Sequence, residues 1–231
     1  VILPFTREFA ATRAGEFVAE LVEHLHPTQW WAGPDFRLGR DQEGDIEFLK
    51  AQAAHWGFQV HSLDQPVLWR GKPVRSSRIR AALSEGDPEE ANGCLGRPFA
   101  LAGVVGHGDQ RGRSLGFPTA NLMLRSGQLL PANGVYICRA VLKRGAFDAL
   151  VNVGIRPTFD LDRASVEAHV LDFSGDLYGE TMRLEFLHRL RPELRFPSAA
   201  ALITQVREDE IAGRAWLLAR RDSVDTAGES P

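Results

Sequence analysis

The sequence predicts two domains of different class, an α/β unit over residues 1–97 and an antiparallel β-barrel with a terminal helix over residues 98–221. The first part alternates strand-like and helix-like segments, which is typical of a parallel sheet. The second part carries short apolar stretches separated by turn residues, which is typical of an antiparallel sheet that closes on itself. A hydrophobic content of 44% is sufficient to build both cores.

Composition excludes several classes of partner. With 27 basic and 30 acidic residues, the net charge of −3 provides no overall field that would attract nucleic acid or an anionic membrane. No apolar run reaches membrane-spanning length. Cys94 and Cys138 have no paired spacing, which favours reduced thiols over a disulfide or a zinc site. We therefore expect a cytoplasmic protein without nucleic-acid or membrane partners, and weak self-association stays open.

In the first domain, Val1–Phe5 is predicted to be a buried strand, and because the chain opens directly on it, we expect residues of the same domain upstream. Apolar residues at helical spacing predict a helix over Arg7–His26, with Thr12 as a candidate N-cap. A second helix is predicted over Asp45–Trp56 and a strand over Phe58–Leu63.

A further helix is predicted to start at the run Ser76-Ser77-Arg78-Ile79-Arg80. Two hydroxyls at a helix start, with Arg78 and Arg80 in or near the first turn, are suited to contact a nucleotide phosphate. The alternative is simple N-capping with solvated arginines. A short helix after Gly86 ends near Arg97, where we place the domain boundary.

Five apolar stretches of strand length predict the barrel: Leu101–Val105, Val135–Leu142, Ala149–Val153, Val166–Phe173 and Met182–Leu187. Ser198 is a candidate N-cap of the last helix, whose partly periodic apolar pattern predicts that it covers one end of the barrel. The polar residues 222–231 are predicted to form a disordered tail.

The first barrel strand leads into a loop that contains Gly106, Gly108, Gly112 and Gly116. Residues without a Cβ let backbone N–H groups surround an anion, and Arg113 adds positive charge beside them. The loop is thus a candidate phosphate site. The alternative is a long hairpin loop whose glycines serve only its turns.

Thr119 and Asn121 end this loop and lie two residues apart, so that on an extended segment both side chains point to one face. A hydroxyl and an amide oxygen are hard neutral ligands, suited to a Mg²⁺ ion that takes its other oxygens from phosphates and water.

Residues 165–170 alternate strictly between polar and apolar side chains, which places Glu167 and His169 on one face of a strand. A carboxylate held on a barrel strand near a phosphate loop is a candidate general base for a hydroxyl nucleophile. The alternative is an outward-facing acidic residue without a role, and we assign His169 none.

The usual nucleotide motifs are absent from the sequence. It contains neither G-x-x-x-x-G-K-[ST] nor G-x-G-x-x-G, and its only lysines are Lys50, Lys72 and Lys143. Any handling of ATP would therefore depend on a different phosphate cradle.

Several runs in order resemble riboflavin kinase: GVVGHGDQRGRSLGFPTANL, GVYICRAV, VNVGIRPTF, VEAHVLDFSGDLYGE and LRPELRFPS. The upstream runs LPFTREFA, GPDFRLGRDQEGD and RSSRIRAALSEGD resemble the adenylyltransferase half of the bacterial bifunctional riboflavin kinase/FAD synthetase. The resemblance extends from Ile2 to about Trp216. It implies a partial Rossmann-like nucleotidyltransferase fold followed by a Greek-key barrel.

For the barrel, the resemblance implies transfer of the ATP γ-phosphoryl group to the riboflavin 5′-hydroxyl, giving FMN, with Mg²⁺ as cofactor. It implies that Thr119 and Asn121 approach the metal and that Glu167 is the catalytic base. The ATP-binding residues that it implies are Gly106, His107, Gly108, Arg113, Gly116, Pro118 and Thr119. Those implied for the flavin are Asn121, Glu167, Arg191 and Glu193.

For the first domain, the resemblance implies transfer of AMP from ATP to FMN, giving FAD, with Ser76, Ser77 and Arg80 as ATP-binding residues. The histidine-rich phosphate motif of that family, His-x-Gly-His, does not occur in these residues. Two other hypotheses remain, a kinase-only protein with a degenerate N-terminal domain and a flavin-binding regulator without turnover. A regulator would not need Thr119, Asn121 and Glu167 together.

A polypeptide of these 231 residues is therefore expected to form FMN from riboflavin but little or no FAD from FMN. Incubation with ATP and Mg²⁺, followed by chromatographic separation of the flavins, measures both steps. Rapid production of FAD would contradict the expectation.

Overall fold

The computed structural model describes residues 2–63, 65–107, 116–156 and 163–227. The chain divides into two compact units, Val1–Val67 and Leu68–Pro231, and each is described by itself.

The first unit is an α/β arrangement. Its elements are α1 Arg7–Ala10, α2 Ala14–Leu25, β1 Gln29–Ala32, α3 Ile46–Trp56 and β2 Gln59–Ser62. β1 and β2 pair in parallel, with Trp30 opposite Val60. Side chains from α2, α3 and both strands meet in one apolar cluster, which also includes Phe58. The prediction of an α/β unit with parallel strands is confirmed.

Two details of this unit differ from the prediction. Residues 2–5 form no strand, and Ile2 and Phe5 are 97% and 81% exposed, because no described strand pairs with them. The predicted long helix is two helices, and Thr6 rather than Thr12 caps α1 by accepting a hydrogen bond from the Phe9 N–H at 3.1 Å. An apolar run becomes a strand only where a partner strand satisfies its backbone.

The second unit begins with a short hairpin and two helices: β3 Leu68–Trp69, β4 Lys72–Pro73, α4 Ser76–Glu85 and α5 Pro88–Leu95. Six strands follow: β5 Phe99–Gly106, β6 Ala120–Met123, β7 Gly134–Leu142, β8 Gly145–Arg156, β9 Arg163–Val170 and β10 Thr181–Pro192. They form a closed barrel in the order β10-β5-β6-β9-β8-β7, and every pair of neighbours is antiparallel. The predicted closed antiparallel barrel is confirmed.

The last helix, α6, spans Ala199–Ala227. Ser198 caps it as predicted, since its hydroxyl accepts from the Ala201 N–H at 3.2 Å. The helix does not close one end of the barrel, however. It packs against the outer face of the wall, where Leu217 joins Ile137 and Leu150 in an apolar cluster separate from the barrel interior.

Gly213 lies where this helix is close to the wall. A Cβ at this position would lie 2.9 Å from Cδ2 of Leu150, so a larger residue would require the Leu150 side chain to shift. Trp216 and Leu217 pack on the outer face of the barrel, whereas Ile211 is exposed.

The compact units divide between Val67 and Leu68, so α4 and α5 group with the barrel, and the domain boundary near Arg97 stays a prediction from the sequence. The reason for this grouping is a side-chain link: Asn92 donates to the Phe186 carbonyl at 2.8 Å and accepts from the Phe99 N–H at 2.6 Å.

At the C-terminal end, helix α6 continues to Ala227, so residues 222–227 are helical rather than part of a disordered tail. Residues 228–231 lie outside the described ranges.

Replacing Asn92 with alanine is expected to destabilise the second unit by about 2–3 kcal/mol, because a backbone donor and a backbone acceptor both lose their partner. Urea denaturation followed by circular dichroism measures the change. Ser84→Ala, at an exposed position on the preceding helix, is the control and should change stability by less than about 0.5 kcal/mol. Equal stability of the two variants would show that Asn92 does not join the helices to the barrel.

Candidate active site

Two of the pockets on the barrel share Thr119 as a lining residue. The loop pocket, of about 460 Å³, lies beside residues 173–178 after β9. The helix pocket, of about 300 Å³, lies beside α6. The segment that carries Thr119 therefore forms a thin partition between two cavities of different chemical character.

The register of β9 places Glu167 beside this partition. Glu167 is opposite Asn121 of β6 and opposite Asn152 of β8. The Thr119 hydroxyl donates to Oε2 of Glu167 over 3.4 Å. The structure thus brings together Thr119, Asn121 and Glu167, which lie on two segments far apart in the sequence.

The predicted alternation along β9 is confirmed. Val166, Ala168 and Val170 are buried inside the barrel, whereas Glu167 and His169 point outward and are half-buried. Glu167 does face outward, as the alternative hypothesis states, but it faces the helix pocket rather than open solvent.

His169 has a structural partner that the sequence did not reveal. Its Nδ1 donates to the Pro118 carbonyl oxygen at 2.9 Å, and its ring meets that of Phe117 edge-on with centroids 5.8 Å apart. Both contacts hold the segment immediately before Thr119. His169 therefore fixes the partition between the two pockets.

Arg191 and Glu193, at the end of β10 and just beyond it, both line the helix pocket. Arg191 forms two parallel hydrogen bonds to Asp209 of α6, at 2.8 and 2.7 Å, and Gln205 adds a third to the same carboxylate at 3.2 Å. Asp209 is 6% exposed. Such a planar two-bond pair fixes both partners in orientation, so it holds α6 against the end of β10.

The oxygen atoms of Thr119, Asn121 and Glu167 are hard donors of the type that suits Mg²⁺. Within the described ranges, no group of three or more His, Cys, Asp or Glu residues could hold a metal. A cation at this site would consequently take part of its coordination from a bound phosphate and from water.

Among the predicted residues of the glycine-rich segment, Pro118 and Thr119 line the loop pocket, and His107 contacts one of its lining residues. The His107 ring stacks on Tyr178, a lining residue, with centroids 4.0 Å apart. Pro118 lines the pocket itself, and Gly116 has a φ of +88°, which favours glycine.

At Gly106, a Cβ would lie 2.6 Å from Cγ of Met123, so only glycine fits without rearrangement. Gly108 and Arg113 lie outside the described residues.

Ser76, Ser77 and Arg80 lie in the first half of α4, are exposed and line neither pocket. Arg78, in contrast, has structural partners. It is paired with Glu90 of α5 and donates to the Lys72 carbonyl at 2.8 Å. The hydrogen bond from Arg78 holds the pKa of Glu90 below its usual value.

Sequence reasoning missed Asn152 and Asp209. Asn152 is a polar residue inside an apolar strand, which indicates that it faces outward where its neighbours face the core. Asp209 lies at helical spacing between apolar positions such as Val206 and Gly213, a signal that an acid on the packed face needs a buried partner. Neither signal identifies the partner.

No helix within the described parts of the chain has both the length and the apolar composition needed to cross a membrane.

Comparison with protein families divides the chain in two. The riboflavin kinase family model matches residues 95–217, which contain the whole barrel and most of α6. The FAD synthetase family model matches residues 1–78. The first match covers more than half of the chain and contains every residue that lines the two pockets.

Curated relatives match nearly the full chain. The bifunctional riboflavin kinase/FMN adenylyltransferase of Haemophilus influenzae is 35% identical over 94% of this chain and 70% of its own length. The protein of the same name from Pseudomonas fluorescens is 39% identical over 92% of this chain and 68% of its own length.

Among solved structures, one from Streptococcus pneumoniae, named as a macrolide-efflux protein, superposes with a TM-score of 0.80 at 36% identity, covering 93% of this chain and 69% of that one. The barrel with its two pockets, the family matches and the curated relatives agree: the chain belongs to the riboflavin kinase family, and its N-terminal residues match the FAD synthetase family.

Proposed function

We propose that the barrel transfers the γ-phosphoryl group of ATP to the 5′-hydroxyl of riboflavin and produces FMN and ADP. The observation that carries this proposal is the position of Glu167, which lines the helix pocket beside the one residue, Thr119, that lines both pockets. A donor in one pocket and an acceptor in the other would meet at this point.

The character of the pockets supports the assignment of substrates. The helix pocket has an apolar wall of Leu202, Ile203 and Val206, which suits a flat isoalloxazine ring. The loop pocket follows the glycine-rich segment, where backbone N–H groups can approach phosphates. We therefore assign riboflavin to the helix pocket and ATP to the loop pocket.

Phosphoryl transfer requires positioning, neutralisation of charge and a group that takes the hydroxyl proton. The Glu167 carboxylate accepts that proton as the 5′-oxygen bonds to the γ-phosphorus, while the bond from that phosphorus to the β–γ bridging oxygen breaks and ADP leaves. The hydrogen bond from Thr119 orients the carboxylate. Mg²⁺, held by Thr119 and Asn121, would neutralise phosphate charge.

We further propose that the N-terminal part contributes to adenylyl transfer from ATP to FMN, with Ser76, Ser77 and Arg80 contacting ATP. The FAD synthetase match supports this for the two serines, and Arg80 lies just beyond its last residue, 78. Simple capping of α4 remains the alternative. We place both reactions in the cytoplasm, with small molecules as the partners.

Replacing Glu167 with glutamine is expected to lower kcat for FMN formation by about 10²- to 10⁴-fold, because the amide cannot take the proton. KM for ATP and for riboflavin should change little, since the shape of the side chain is kept. Steady-state assays of FMN formation measure all three constants.

The matched control is Glu185→Gln on β10, where the carboxylate is paired with Arg183 and lines neither pocket. This variant should keep the activity of the unmodified chain. Full activity of Glu167→Gln at saturating substrates would remove Glu167 from the mechanism, and binding of riboflavin without any turnover in the unmodified chain would favour the regulator hypothesis.

Replacing Asp209 with alanine is expected to destabilise the second unit by about 3 kcal/mol, because Arg191 is left largely buried without its countercharge. Denaturation in urea measures the loss. The neighbouring exposed Glu208→Ala is the control and should be nearly neutral. If both variants were equally stable, the pair would not hold α6 in place.

A further inference from the structure

Arg189 of β10 lies two residues before Arg191 and lines neither pocket. Its guanidinium donates to the Asn133 carbonyl at 2.6 Å and to the Glu85 carbonyl at 3.3 Å. The same group lies 5.9 Å from the centre of the Tyr136 ring. One side chain thus joins the end of α4, the segment before β7 and the barrel wall.

A glycine lies close to this guanidinium at the end of α4. A Cβ at Gly86, which caps α4 with a φ of +77°, would lie 2.5 Å from Nη1 of Arg189, so a side chain there would displace the guanidinium. At Gly134, a Cβ would first meet the Arg191 carbonyl oxygen at 2.5 Å, and Nε of Arg189 lies 2.9 Å away.

An apolar side chain in place of Arg189 would leave the Asn133 and Glu85 carbonyl oxygens without this donor. The guanidinium therefore fixes the position of the Asn133 backbone.

Asn133 links Arg189 to Glu193, which lines the helix pocket. Its side-chain amide donates to Oε2 of Glu193 at 3.2 Å. Glu193 also packs against β8, since a Cβ at Gly154 would lie 2.4 Å from Oε1. The carboxylate lines the pocket, although the residue as a whole is exposed, so these contacts orient it.

The segment around Asn133 is held from both sides. The Ala132 N–H donates to the Leu83 carbonyl of α4 at 2.8 Å, and the Tyr136 hydroxyl donates to the Ala132 carbonyl at 2.5 Å. Arg189 adds a charged donor, which bonds to the Asn133 carbonyl. Together these bonds fix the backbone from which the Asn133 amide reaches Glu193.

We propose that Arg189 is a positioning residue for riboflavin: by holding Asn133 it orients the Glu193 carboxylate, which accepts a hydrogen bond from the flavin. This inference rests on the proposed kinase function. It assigns to α4 and Gly86, which precede the matched kinase residues 95–217, a part in the flavin side of the site. Arg189 itself does not touch the substrate.

The test is Arg189→Gln, assayed for FMN formation. KM for riboflavin is expected to rise about five- to tenfold, which corresponds to the loss of one net hydrogen bond. The kcat and the KM for ATP should stay within about twofold, because the Thr119–Glu167 partition is not altered. Arg183→Gln, on the same strand and outside both pockets, is the matched control and should leave KM for riboflavin unchanged.

A double-mutant cycle separates positioning from a general loss of stability. In a Glu193→Gln background, Arg189→Gln should have little further effect on KM for riboflavin, since both changes break the same chain of contacts. Equal effects of Arg189→Gln in both backgrounds, or an unchanged KM in the single variant, would overturn the proposal.

Asn133→Ala keeps the backbone carbonyl and removes only the amide, so it tests the same path should Arg189→Gln fail to fold. It should raise KM for riboflavin to a similar extent, and an unchanged KM would overturn the proposal. Quenching of riboflavin fluorescence on binding provides a readout without turnover.

Absence of FMN formation by the unmodified chain would contradict the kinase function, whereas equal riboflavin affinity of all variants would contradict only the role of Arg189.

Discussion

The pairing of β9 with β6 on one side and β8 on the other is the constraint on which the site depends. Side chains of a strand alternate between faces, so the register that buries Val166 and Ala168 in the barrel also turns Glu167 outward between Asn121 and Asn152. A slip by one residue would exchange the two sets. Burial of the apolar face therefore determines where the carboxylate lies.

An outward-facing carboxylate becomes part of a site only because α6 covers the same face of the wall. The helix lies close to the wall at Gly213 and is held at the end of β10 by the Arg191–Asp209 pair. Between these two points it leaves a cavity rather than a tightly packed interface. The helix pocket thus lies outside the barrel, whereas the loop pocket is lined in part by the interior residues Val105, Ala168 and Val170.

Much of this arrangement follows from local pattern. Apolar runs with turn residues between them predict the barrel, the two-residue period predicts the face of Glu167, and Ser198 predicts the start of α6. These signals come from residues close in sequence, whose relative positions are set by the geometry of a strand or a helix.

Other features depend on residues far apart in the sequence. The partner of Arg191 is eighteen positions away on another element, and the glycine of α6 that lies close to the wall faces Leu150, on a strand much earlier in the sequence. The strand expected at residues 2–5 does not form, because its apolar side chains have no described strand beside them. Periodicity indicates that a face is buried but does not name what buries it.

The position of α6 beside the barrel also separates residues that can vary from residues that cannot. Residues of β9 alternate between the barrel core and the helix pocket, so an insertion there would disturb both at once. The wall formed by Leu202, Ile203 and Val206 belongs to α6 and contributes no residue to the barrel core. Under the proposed assignment of riboflavin to the helix pocket, selectivity among flavin analogues could be redesigned on the helix while Thr119 and Glu167 stay in place.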